Sequence, residues 1–150
     1  MDKHAKILVV DDDENIRNTM KTILEDEGYT VDLAATGSEA VQKTKKTVYN
    51  IALLDIRLPD MEGVELLKLI KGTVPRTRKI MVTGYPSMQN AIAALNKNAD
   101  AYLIKPIDIE NLLNIVKEQL KLQENEKEFS EQKVAEFIET RVKELSIEQP

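Results

Sequence analysis

The sequence predicts an α/β protein: a parallel β-sheet with helices packed on both faces. Three observations predict it. Short apolar runs alternate strictly with helix-periodic segments, the pattern of repeated strand–helix units rather than of hairpins. The runs at 7–10, 51–54 and 80–82 are continuously apolar, as strands covered on both faces must be. Most runs are bounded by Gly, Pro, Asp or Asn, which interrupt regular structure.

The five strand candidates are AKILVV (5–10), YTVDLA (29–34), YNIALLD (49–55), KIMVT (79–83) and AYLI (101–104). Helix one carries Ile16, Met20, Ile23 and Leu24 on one face, and Gly28 follows where a left-handed stop belongs. Helix two opens on TGSE (36–39), a capping box, and turns Ala40, Val41 and Thr44 inward. Helix three follows Gly63 with Val64, Leu67 and Ile70 and is expected to stop near Gly72 and Pro75. Helix four starts near Ser87 with a thin apolar face of Ala91, Ile92, Ala94 and Leu95. Helix five follows Asp108 with Ile109, Leu112, Leu113 and Val116. Parallel strands joined this way take right-handed crossovers.

Bulk properties narrow the function. The 150 residues suffice for one domain with an appendage, expected as 1–120 and 121–150. A net charge of -5 argues against a nucleic-acid surface on this chain, and no apolar run approaches the ~20 residues of a membrane span. The absence of cysteine excludes disulfides and thiolate chemistry and suits a cytoplasmic location. His4 is the only histidine and lies near the terminus, which argues against a His-based triad or zinc site.

The segment after 117 differs from the rest. No Gly or Pro occurs from Ile107 to Gln149, so nothing forces helix five to end. QENEKE (123–128) is a polar interruption, after which Val134, Phe137, Ile138, Val142 and Leu145 recur at helical spacing. This predicts a long or broken amphipathic helix of about 30 residues, suited to a partner helix such as a second copy of itself. The competing expectation is a charged tail, packed back on its own domain or disordered.

Ligands of open parallel sheets gather at the carboxyl ends of the strands. Here strand one ends in Asp11-Asp12, strand three in Asp55, strand four in Thr83, and strand five runs into Lys105-Pro106. Each has a plain reading alone: a helix cap for the acids, a strand residue for Thr83, a solvated side chain for Lys105. Together they predict three carboxylates, a hydroxyl and an ammonium around one shallow pocket. All-oxygen ligation suits Mg2+, and a carboxylate beside that ion can attack phosphorus to give an aspartyl phosphate. Thr83 and Lys105 would contact the phosphoryl oxygens. Asp13 is expected to cap helix one.

The motifs ILVVDD (7–12), LLDIRLPDMEG (53–63), MVTG (81–84) and AYLIKP (101–106) occur in this order without large insertions. In them the chain resembles the receiver domains of two-component response regulators over roughly residues 4 to 120. The resemblance implies a flavodoxin-like (βα)5 fold with strand order 2-1-3-4-5. It implies that Asp55 is the phosphoacceptor for a sensor histidine kinase, and that Mg2+ is held by Asp11, Asp12, Asp55 and the Arg57 backbone carbonyl. Thr83 and Lys105 match the phosphate contacts, Tyr102 the aromatic switch position, and Lys105-Pro106 a cis peptide bond. Pro59 and Gly63 fit the tight turn of the acceptor loop. Phosphorylation would remodel the face formed by helix four, strand five and helix five to control a downstream output. A homodimer would form through that face or through the C-terminal helix. Arg57 and Tyr85, which flank the site, would obstruct water and lengthen the phosphorylated state.

Two other functions compete. A haloacid-dehalogenase-type phosphatase would use Asp11-x-Asp13 with Asp11 as nucleophile, but Glu14-Asn15-Ile16 follow where a hydroxylic residue is wanted. A phosphorylation-independent helical interaction module would leave the complete pocket without a role.

Overall fold

The computed structural model describes residues 4–70, 76–84 and 99–148. Five strands, β1 (Lys6–Val10), β2 (Thr30–Ala34), β3 (Ile51–Asp55), β4 (Arg78–Thr83) and β5 (Ala101–Ile104), form one sheet of order β2-β1-β3-β4-β5. Every pairing is parallel. The flavodoxin-like order and the strand positions agree with the sequence reading.

Alternate side chains of these strands enter two cores, as the period of two requires. Ile7, Val9, Ile51, Leu53, Ile80 and Val82 face Met20 and Leu24 of α1 (Glu14–Asp26) and Leu112 and Val116 of the C-terminal helix. Leu8, Val10, Ala52, Leu54 and Met81 face Ala40 of α2 (Gly37–Lys46) and Leu66 and Leu67 of α3 (Gly63–Leu69). Both faces are thereby dry, which is why these strands carry no polar alternation.

Local chemistry sets the helix ends. Asp13 caps α1 by accepting from the Ile16 N–H at 3.2 Å. Gly28, at φ 98°, closes its far end in the conformation glycine tolerates best. Thr36 caps α2 by accepting from Glu39 N–H, while the Glu39 carboxylate reaches back to Ala35 N–H, one residue beyond its expected partner. Of the three inward residues expected on α2, Ala40 is fully buried and Val41 and Thr44 are half-buried. The expected helix four lies outside the described residues.

The last helix is therefore α4 here (Ile109–Glu148), an unbroken run of 40 residues. QENEKE does not interrupt it. Gln123 is buried; its amide nitrogen donates to the carbonyls of Asn50 and Arg76, and its oxygen accepts from Asn50 Nδ2. Arg78, buried in β4, donates to Gln119 at 2.8 Å and to Glu126 at 2.6 Å. The polar stretch is thus a clasp between α4 and the amino-terminal edge of the sheet. Beyond it, Phe129, Val134, Phe137, Ile138, Val142 and Leu145 are all exposed. No helix among the described residues is long and apolar enough to cross a membrane.

Candidate functional site

The carboxyl edge of the sheet carries the site. The Asp11 N–H extends the β1–β2 ladder to Ala34 O, Ile56 N–H extends β3 to Val82 O, and Lys105 N–H extends β5 to Thr83 O. These bonds continue the ladders one residue past each strand. Asp11, Asp12 and Asp55 each offer an oxygen within 4.8 Å of the others. Three hard oxygen donors this close fit a small divalent cation such as Mg2+, which would relieve their mutual repulsion.

Lys105 enters the cluster from β5. Its Nζ lies 2.7 Å from Asp11 Oδ2 and 3.4 Å from Asp55 Oδ2. Burial opposes the Lys105 charge, but its hydrogen bond and attraction to Asp11, with a further contribution from Asp55, hold its pKa above the ordinary value. Burial pushes the Asp55 carboxyl up, and the Asp11 carboxylate adds to this; the Lys105 charge and the Arg57 N–H partly offset the rise. The Lys105-Pro106 peptide bond is cis, as the resemblance implies.

A cleft of about 430 Å3 opens over these groups, lined by Asp11, Asp12, Asp55, Arg57, Gly84 and Lys105, with Asp13 and Ile16 at its side. Asp13 is occupied as the α1 cap, and its N–H donates to Asp11 Oδ1 at 2.9 Å.

A model of the response regulator receiver domain matches residues 7–117. The chain belongs to this family. Among solved structures, a CheY-like receiver domain protein from Methanospirillum hungatei JF-1 is 48% identical, with a TM-score of 0.78 over 82% of this chain and 98% of that one. The beryllofluoride-activated NtrC4 receiver domain dimer is 36% identical, with a TM-score of 0.74 over 79% of this chain and 98% of that one. The transcriptional regulatory protein ZraR of Escherichia coli K12 is 39% identical over 106 residues, 71% of this chain. The match spans 24% of ZraR, so the chain covers about a quarter of the length of such curated relatives. As a receiver it is a signalling domain.

Of the receiver residues expected at the site, Asp11, Asp12, Asp55 and Lys105 come together. Thr83 is fully buried at the end of β4, and Gly84 forms that part of the cleft wall. The Arg57 side chain is exposed, while its N–H donates to Asp55 Oδ1 at 3.3 Å. Tyr85 lies outside the described residues. The Tyr102 ring is half-buried against the core beneath α2 and α3. Its hydroxyl is buried without a hydrogen-bond partner among the described residues, and burial raises its pKa.

Sequence reasoning missed two supports of this receiver site. Arg17 on α1 donates to the Asp11 carbonyl at 2.7 Å. Asp60, in the loop after β3, accepts from Gly37 and Ser38 on α2. The Arg17 spacing could have been read from α1, which places it one turn past Asp13. The Asp60 contact spans more than twenty residues and leaves no periodic signal.

Proposed function

We propose that this receiver takes a phosphoryl group from a sensor histidine kinase onto Asp55, and that the modification switches the surface around β5 to control a downstream output. The observation that carries this reading is the single cluster of Asp11, Asp12 and Asp55 oxygens with the Lys105 ammonium inside it. Mg2+ would be held by Asp11, Asp12, Asp55 and the Arg57 backbone carbonyl, and would supply neutralising charge for the transferred group.

The transfer needs an ionised Asp55 oxygen facing the donor. That oxygen forms a bond to phosphorus as the P–N bond of the kinase phosphohistidine breaks. The imidazole leaves with the electron pair and takes up a proton from solvent. Lys105 is near enough to Asp55 to move onto the incoming phosphoryl oxygens, an ion pair that charge-assisted hydrogen bonding strengthens. Thr83, one register step beyond the Asp55–Val82 pair, would donate its hydroxyl to another oxygen. Its shift would change the space beside Tyr102. The Tyr102 hydroxyl, which has no partner among the described residues, favours this, because a buried orphan donor gains by moving to a site that satisfies it.

Arg57 and Tyr85 would slow hydrolysis by covering the phosphoryl group. The chain would act in the cytoplasm, without contacting nucleic acid itself. It would form a homodimer through the β5 face or the exposed stripe of α4, a reading supported by that stripe and by the dimeric state of the NtrC4 receiver.

Incubation with acetyl phosphate and Mg2+, followed by intact-mass measurement, tests the acceptor. Asp55→Asn should abolish phosphate incorporation. Retained incorporation in that variant, with loss in Asp11→Asn, would overturn the assignment. Sedimentation with and without beryllofluoride tests the dimer; a monomer under both conditions rejects it.

A further inference from the structure

The loop that follows Asp55 is closed upon itself. Gly63 N–H donates to Ile56 O at 2.7 Å, Leu58 N–H donates to Met61 O at 3.1 Å, and Arg57 and Glu62 form an isolated antiparallel bridge. A Cβ at Gly63 would lie 2.2 Å from Asp55 O, so the returning chain is pressed against the end of β3. One end of the loop is thereby anchored by the sheet.

Its tip is anchored elsewhere. Asp60 Oδ1 accepts from Gly37 N–H and Asp60 Oδ2 from Ser38 N–H, both at 2.9 Å. Met61 lies over the same point, where a Cβ on Gly37 would come within 2.4 Å of its sulfur. Helix α2 does not depend on this contact for its own cap, because Thr36 already accepts from Glu39 N–H. Asp60 takes two further first-turn amides, and these hold its carboxyl below the usual carboxylate range.

We infer that Asp60 is a positioning residue for phosphoacceptance: its two-pronged contact with Gly37 and Ser38 fixes the loop that presents the Arg57 carbonyl beside Asp55. The inference rests on the phosphoacceptor reading of Asp55. Arg57 stands between the two anchors, with its N–H on Asp55 Oδ1 and its backbone bridged to Glu62. Asp60 is exposed and does not line the cleft, so it acts only through the loop. A metal site tolerates displacement of a ligand by only about half an ångström, so freeing the loop at its tip would loosen the placement of the Arg57 carbonyl.

Three variants separate this role from general stability. Asp60→Ala removes both contacts, Asp60→Asn leaves one acceptor and sets an amide donor against the other N–H, and Thr36→Ala weakens the same helix end without touching the loop. Mg2+ affinity is measured by isothermal titration calorimetry, with thermal melts of the metal-free proteins. Asp60→Ala should weaken Mg2+ binding about tenfold, with Asp60→Asn between it and the wild type. Thr36→Ala should lower Tm but leave the Mg2+ affinity unchanged. Wild-type affinity in Asp60→Ala, or equal weakening in Thr36→Ala, overturns the inference while leaving the acceptor reading intact. A wild-type protein that binds no Mg2+ overturns the acceptor reading itself.

Discussion

The Lys105 ammonium lies nearer to Asp11 Oδ2, at 2.7 Å, than to Asp55 Oδ2, at 3.4 Å. It therefore holds together two carboxylates that burial and mutual repulsion would otherwise penalise. It also occupies charge that a cation would use. Lys105→Met should tighten Mg2+ binding about tenfold, or ~1.4 kcal/mol, because the ion no longer competes with the ammonium. The same variant should slow phosphorylation by acetyl phosphate by about 10²-fold, since a fixed positive group is lost from the reacting centre. Titration calorimetry and a phosphorylation time course read the two opposite effects.

Asp55 has a raised pKa because of its burial and, next, the Asp11 carboxylate. A carboxyl raised above its unfolded value binds more protons folded than unfolded, so stability falls as pH rises through that window. At neutral pH the ionised Asp55 is therefore a cost to the metal-free fold. Asp55→Asn should raise the Tm of metal-free protein. Mg2+ at a hundred times its Kd should stabilise the wild type by about 2.7 kcal/mol and the variant by much less.

The α2 entrance should loosen in acid. The Ser38 and Gly37 amides lower the Asp60 pKa, and the Ala35 amide, aided by Lys43, lowers that of Glu39. For depressed carboxylates the stabilisation is complete above the unfolded values, about 3.9 to 4.3, and is lost as pH falls through the folded ones. Amide resonances of Ala35, Gly37 and Ser38 should move together in that lower range, ahead of those in β3.

The clasp at Gln123 should be sensitive to truncation. Gln123→Ala leaves Asn50 Nδ2 and the Arg76 carbonyl without this partner in a partly buried setting, while the Asn50 carbonyl keeps only the Arg78 N–H. The expected loss is about 2 kcal/mol, or about 4–8 °C in Tm. Hydrogen exchange over 119–127 should accelerate, while the core amides of Leu112 and Val116 keep their protection.

The site was legible where chemistry sits at a strand end. Asp11, Asp55 and Lys105 follow apolar runs directly, and parallel topology brings such residues to one edge whatever the loops do. Gly28 and Asp13 were legible because helix ends make local demands. The tertiary polar contacts were not. Gln123 and Glu126 looked like a solvated interruption, since hydrophobic periodicity cannot distinguish a polar side chain facing water from one facing the buried Arg78. Asp60 carried no signal of its own between Pro59 and Gly63, because its partners Gly37 and Ser38 are close only after the sheet has formed. Thr83 sits at the expected register, yet its burial depends on neighbours that strand spacing does not reveal.

The unbroken α4 makes the clasp a fulcrum. From Glu126 to Glu148 the helix extends roughly 33 Å at 1.5 Å per residue. Each degree of tilt at Gln123 and Glu126 would swing the far end by about 0.6 Å, given that length. A rearrangement of the sheet too small to disturb its ladders would thus be magnified into a displacement of Val142 and Leu145 comparable to the width of a side chain.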